Sequence, residues 1–96
     1  MNTEQIVTYL TNHKQELHDK YSVSRLGLFG SHARGDMYSD SDIDIVVELE
    51  EPDIFALIGI KQQLEDQFCT KVDIVRLRDR MNQSLRTRIE KDAIYV

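Results

Sequence analysis

The stretch that most constrains this chain is DIDIVVEL, Asp42 to Leu49. Ile43, Ile45, Val46 and Val47 are β-branched and Glu48, Glu50 and Glu51 bound the run, so the pattern predicts a strand. The same run carries two carboxylates one residue apart, Asp42 and Asp44. Side chains alternate along a strand, so both acids point to one face while Ile43 and Ile45 point to the other. Like charges repel, and burial in an apolar strand disfavours their ionisation. A cation shared between them offsets that cost, so the strand is expected to present two acids to one metal ion.

The residues upstream predict a second half to this site. Ser24 to Phe29 reads as a strand, with Gly27 leaving room for close backbone approach. It runs into Gly30-Ser31 and the opening of a short helix at His32-Ala33-Arg34-Gly35. A strand, a glycine-serine turn and a helix start together present free backbone N–H groups and a hydroxyl, which is a phosphate cradle. Arg34 can add a charge-assisted bond to a phosphate, and Gly35 lets the chain turn without side-chain obstruction. Residues 38–41, Tyr-Ser-Asp-Ser, read as a polar loop leading into the acidic strand. A third strand, Lys71 to Leu77, holds Asp73 between Val72 and Ile74. If it neighbours the second strand with its acid on the same face, Asp73 joins the pair. Each element alone is common: many helices follow Gly-Ser, and Asp-x-Asp is often a turn or a solvated edge. Their order and spacing carry the specificity.

The remaining chain frames these strands with helices. Ile6, Leu10, Leu17 and Tyr21 keep to one face of a helix from Thr3 to about Lys20, with Asn2 or Thr3 as cap and Gln5 completing a capping-box arrangement. His13 and His18 lie five apart on it, a poor spacing for two ligands, and read as surface histidines. Pro52-Asp53 starts a helix whose apolar residues Ile54, Leu57, Ile58, Leu64 and Phe68 follow a 3.6 period, with Gly59 suggesting close packing on the sheet. A last helix begins at Asn82, with Met81, Leu85 and Ile89 on one face, and Ala93 to Val96 reads as an apolar tail. The expected order is α-β-α-β-α-β-α: an α/β (α+β) fold, a small mixed three-stranded sheet flanked by helices.

With 96 residues, 41% hydrophobic and 30% charged, residues 1–96 are expected to form one domain with a single modest core. No apolar run approaches a membrane span, the start MNTEQIVTYL lacks a signal-peptide pattern, and Cys69 stands alone, so a reducing cytoplasm is expected. A net charge of −5 argues against a general nucleic-acid binder. The stretch Lys71 to Asp92 is locally basic, with seven Lys and Arg against four acids. It reads as a solvated helix face with internal pairs, the alternative being a surface facing phosphates or an acidic partner.

Gly30-Ser31-x-Ala33-Arg34-Gly35, then Ser41-Asp42-Ile43-Asp44, then Asp73 in VDIV, resemble the motifs of the DNA-polymerase-beta-like nucleotidyltransferase superfamily, in the short form called the minimal nucleotidyltransferase (MNT) family. The resemblance implies transfer of a nucleotidyl group, from ATP, to a hydroxyl. Carried onto this chain, it makes Asp42, Asp44 and Asp73 ligands of a two-metal Mg²⁺ site, with Asp73 also a base or an aid to activating the hydroxyl. Gly30 and Ser31 would hold the β- and γ-phosphates with Arg34 nearby, and His32 occupies a variable position with no assigned role. The minimal family is similar to the antitoxin half of toxin–antitoxin pairs whose partner is a HEPN ribonuclease. The implied function is therefore a protein adenylyltransferase that moves AMP to a tyrosine of a HEPN toxin. The alternatives are an antitoxin that neutralises by binding alone, a nucleotidyltransferase acting on a small molecule, and an α/β domain whose acids are a solvated edge.

Overall fold

The computed structural model describes residues 1–36 and 41–96. Most of the loop expected at 38–41 (Tyr38, Ser39 and Asp40) lies outside the described residues. Helix α1 spans Thr3–Tyr21, and Asn2 caps it as the pattern requires. Asn2 Oδ1 accepts from the Gln5 backbone N–H at 2.8 Å, and Gln5 Oε1 accepts from the Asn2 N–H at 2.9 Å. The chain leaves α1 through Ser22 in a left-handed conformation and enters β1, Val23–Phe29. A single turn, α2 (Ser31–Arg34), follows, then β2 (Ile43–Leu49). Asp53 caps α3 (Ile54–Phe68) by accepting from the Phe55 N–H at 2.9 Å. Strand β3 (Val72–Arg76), helix α4 (Gln83–Asp92) with Asn82 as cap, and β4 (Ile94–Tyr95) complete the chain.

The sheet has four strands in the order β3-β2-β1-β4, one more than the three expected. Strand β2 runs antiparallel to β1 and parallel to β3, so the sheet is mixed as expected. The fourth strand comes from the residues expected to be an apolar tail. Tyr95 pairs with Gly27 and Ile94 with Leu28, and the Val96 N–H donates to the Leu26 carbonyl at 3.0 Å. Two residues are too few to show alternation. A free edge on β1 captured them, because a covered edge satisfies backbone groups that burial would otherwise strand. Gly27 admits this strand: a Cβ there would stand 2.9 Å from the Tyr95 ring and 3.1 Å from the Ile94 carbonyl oxygen. Gly59 faces the Tyr21 ring of α1, 2.8 Å from where its Cβ would be, and not the sheet.

Alternation sorts the sheet into two unlike faces. Leu26, Leu28, Ile43, Ile45, Val47 and Val72 join Ile6, Leu10 and Leu17 of α1 and Ile60, Leu64 and Phe68 of α3 in the main core. The opposite face carries Phe29 and Val46 under Ile89 of α4, with Val75, Leu77, Met81 and Leu85 around them. Asp42, Asp44 and Asp73 share the strand parity of Val46 and Val75, so they belong to this second face, beyond the part that α4 seals. Among the described residues, no helix is long and apolar enough to cross a membrane.

Leu28 is fully buried on a central strand. Leu28→Ala is expected to lower the unfolding free energy by about 2–5 kcal/mol, read from urea denaturation, since the rigid sheet cannot collapse into the cavity. A loss well under ~1 kcal/mol would mean that this core is not packed as described.

Candidate active site

Strand register brings the separated acids together. Asp44 of β2 is the parallel register partner of Asp73 of β3, and on its other side Asp44 is the antiparallel partner of Phe29. Asp42 lies one residue before β2, and next to it the Ile43 N–H donates to the Lys71 carbonyl at 3.0 Å, pinning the start of β2 to β3. Asp42 and Asp73 are exposed and Asp44 is half-buried. Burial, then the Asp73 carboxylate, hold the Asp44 carboxyl above the ordinary carboxylate range; Asp42 pushes the same way, while Arg88 and Arg34 oppose it. The acids thus concentrate negative charge that these side chains only partly offset.

The turn after β1 is shaped around that charge. Gly30 has φ +75° and ψ −155°, a conformation that side-chain-bearing residues rarely adopt. A Cβ on Gly30 would lie 2.2 Å from Asp44 Oδ2, so the carboxylate occupies the space where a side chain would be. The Gly30 carbonyl accepts from the Ala33 and Arg34 N–H groups at 3.1 Å each, turning the chain into α2 with the half-buried Ser31 at its first position. The glycine-serine turn and the acidic strand are therefore in contact.

Arg34 is also at this end of the sheet, in two ion pairs. Its Nη1 lies 2.6 Å from Oδ2 of Asp92, whose side chain is nearly buried, and its Nε lies 3.2 Å from Asp36. The guanidinium thereby ties α2 to the end of α4. Two residues without a predicted role also reach the site. His32, only 5% exposed, is buried beneath it, and its Nδ1 has no hydrogen-bond partner among the described residues. Burial holds its imidazole below the usual histidine range, the Asp42 backbone beside it opposing, and Thr3 Oγ1 donates to its carbonyl oxygen. Arg88 of α4 lies over the Phe29 ring, 5.9 Å from its centroid. The sequence singled out neither: His32 sits between two motif residues, and Arg88 is one of seven basic residues in a stretch that reads first as a solvated helix face, with a surface facing phosphates as the alternative.

A divalent cation fits the chemistry of this cluster, because the acids lack a full complement of positive partners. Among the described residues, no three His, Cys, Asp or Glu side chains converge to enclose an ion by themselves. Mg²⁺ keeps several waters and takes further oxygens from substrate phosphates, so it does not require a full protein cage. Two cavities, of about 360 and 420 Å³, lie elsewhere, one beside Tyr21 and Pro52 and the other beside Met1 and Tyr9. Asp42 and Asp73 stand exposed on this sheet face.

Residues 10–96 match the model of the nucleotidyltransferase domain family. The chain belongs to that family. It is 34% identical over 94 residues to the protein adenylyltransferase MntA of Thermococcus cleftensis, covering 97% of this chain and 94% of the relative. A solved structure assigned as a minimal nucleotidyltransferase superposes with a TM-score of 0.79 at 30% identity, covering 98% of this chain and 95% of the other. A toxin–antitoxin structure with AMP-PNP superposes with a TM-score of 0.71 at 25% identity, covering 99% of this chain and 72% of that one. The fold expected from the motifs is the fold of these nucleotidyltransferases, with β4 added to the expected strands.

Two outcomes follow from the Gly30–Asp44 contact. Gly30→Ala adds a methyl group to occupied space at a positive φ; a thermal-shift assay should show lower stability and no further stabilisation by Mg²⁺ with nucleotide. Asp44→Asn should act in the opposite sense on the metal-free chain. Because the folded state raises the Asp44 pKa, it binds the proton more tightly than the unfolded state, so this carboxyl destabilises the fold as pH rises through that raised value. In EDTA at pH 7 the Asn variant should melt above the parent, with the gap closing as the pH is lowered. A lower melting temperature at pH 7 would contradict the electrostatic account.

Proposed function

We propose that this nucleotidyltransferase is a protein adenylyltransferase and antitoxin, moving AMP from ATP to a tyrosine of a HEPN toxin and so neutralising it. The observation that carries the reading is the contact of the Gly30-Ser31 turn with Asp44, which is in turn paired with Asp73. That contact supports taking Gly30-Ser31 as a phosphate cradle that works together with the carboxylates as metal ligands. The adenylyltransferase name of the Thermococcus relative and the AMP-PNP in the toxin–antitoxin structure support the direction of transfer. The HEPN identity of the partner rests on the motif resemblance.

In this reading Asp42, Asp44 and Asp73 would hold Mg²⁺, which supplies charge neutralisation and orientation of the triphosphate when bound. Gly30 presents its backbone without obstruction, and Ser31 offers a hydroxyl to the β- and γ-phosphates. Arg34 contributes positive charge while bracing α2 against Asp92. The tyrosine oxygen forms a bond to the α-phosphorus, the bond to the bridging oxygen of the β-phosphate breaks, and pyrophosphate leaves. Asp73 stands on the far side of Asp44 from the phosphate turn, where it can take the hydroxyl proton. Residues 1–96 act here as one minimal domain in the cytoplasm, without direct contact to nucleic acid. The exposed Asp42 and Asp73 leave this face accessible to a protein side chain.

The chain incubated with its HEPN partner, α-labelled ATP and Mg²⁺ should label the partner on tyrosine. Asp42→Asn with Asp44→Asn should reduce labelling by about 10²-fold or more, since the metal contribution is several kcal/mol. If the double variant forms the complex and still neutralises the toxin fully at equal abundance, binding suffices and the enzymatic reading of the antitoxin role is overturned.

A further inference from the structure

Of the arginines on α2 and α4, Arg34 and Arg88 act on Asp44, and Arg34 and Arg86 are already engaged. Arg34 is paired with Asp92 at 2.6 Å and Asp36 at 3.2 Å. Arg86 lies 3.2 Å from Glu90, and its Nη1 donates to the carbonyls of Arg78 and Asp79. Arg88 is exposed and has no carboxylate within salt-bridge distance among the described residues. Its backbone is nevertheless anchored. The next residue, Ile89, is buried against Phe29 and Val46, which anchors this turn of α4 to the sheet. The guanidinium itself rests over the Phe29 ring, 5.9 Å from the centroid. An aromatic platform holds the planar group without using its hydrogen-bond donors.

The strand order shows which side of the site Arg88 serves. In β3-β2-β1-β4, Asp44 is central, with Asp73 on the β3 side and Phe29 on the β1 side. Phe29 immediately precedes Gly30-Ser31. Arg88 thus stands on the phosphate-turn side of Asp44 and away from Asp73. Asp44 also feels the charge of Arg88 more strongly than that of Arg34. A guanidinium acting on Asp44 from this side would ordinarily close an ion pair with it. Held over Phe29, it keeps its donors available to an incoming anion.

We propose that Arg88 is a substrate-binding residue whose guanidinium grips the β- and γ-phosphates across from Gly30-Ser31 and holds the pyrophosphate as it leaves. Planar donors in a fork match phosphate oxygens in pairs, which a lysine ammonium cannot reproduce. The proposal rests on the nucleotidyl-transfer reading and gives Arg88 a direct phosphate contact, leaving Arg34 to brace α2 against α4.

The test is calorimetric titration of the full chain with Mg²⁺-AMP-PNP and, separately, Mg²⁺-AMP, for the parent, Arg88→Met and Arg88→Lys, with melting curves to confirm folding. Arg88→Met should weaken AMP-PNP binding by about 10-fold or more while changing AMP affinity less than about 2-fold, because AMP lacks the phosphates concerned. Arg88→Lys should fall between, restoring charge without the paired geometry. Equal AMP-PNP affinity in parent and Arg88→Met overturns the proposal. So does a loss that is the same for AMP and AMP-PNP, which marks a structural role. If the parent itself binds neither nucleotide, the nucleotidyl-transfer reading fails along with it.

Discussion

The rest of the site depends on one close approach, the Asp44 carboxylate against the α-carbon of Gly30. Asp44 Oδ2 occupies the volume that any Cβ at position 30 would need. The carboxylate cannot spread its charge into bulk water on that side, and Asp73 crowds it on the other. Each neighbour makes the ionised form less favourable, and a cation is what relieves all of these costs at once. The free chain therefore carries destabilised charge where a ligand can recover the energy, as a preorganised site requires.

This contact could not have been computed from spacing. Asp42 and Asp44 announce themselves because strand parity alone places them on one face, and the Gly30-Ser31 turn because strand, turn and helix follow in order. Whether Asp73 joins them depended on strand adjacency that the sequence left open, and the parallel register of β3 on β2 supplies it. The caps at Asn2, Asp53 and Asn82 were readable for the same local reason: each is a short polar side chain before a periodic run. What stayed hidden was tertiary. The β4 strand is two residues long and owes its existence to an open edge on β1, and Gly59 answers to Tyr21 of a distant helix. His32 and Arg88 acquire meaning only from what lies above or below them. Arg34 gave a motif position but no sign of Asp92, 58 residues further on, as its partner.

The two faces of the sheet explain why so small a chain can hold charge on a central strand. The α1 and α3 face supplies most of the apolar burial, from Ile6 to Phe68, and stability is concentrated there. The α4 face is a smaller cluster centred on Phe29, Val46 and Ile89. Because α4 seals only the part of the face over Val46 and Val75, the acids at the other end keep access to water and ligand. Extending that apolar cover over Asp44 would bury a carboxylate pair without partners, at a cost of several kcal/mol per ion.

Helix α4 therefore has two tasks that one turn of helix joins. Ile89 points into the sheet and fixes the helix, while Arg88, one residue before it, is carried to the rim of the acids over Phe29. Asp92, a turn further on, receives Arg34 and binds α2 to the same helix. A shift of α4 along the sheet would move Arg88, Asp92 and, through Arg34, the Gly30-Ser31 turn together. β4 limits such a shift, since it follows α4 directly and is stitched to Gly27 and Leu28, just before the turn. The two-residue strand at the end of the described chain is thus a positional stop for the Gly30-Ser31 side of the site. The Gly27 that admits it is as much a part of that side as the Gly30 that admits the carboxylate.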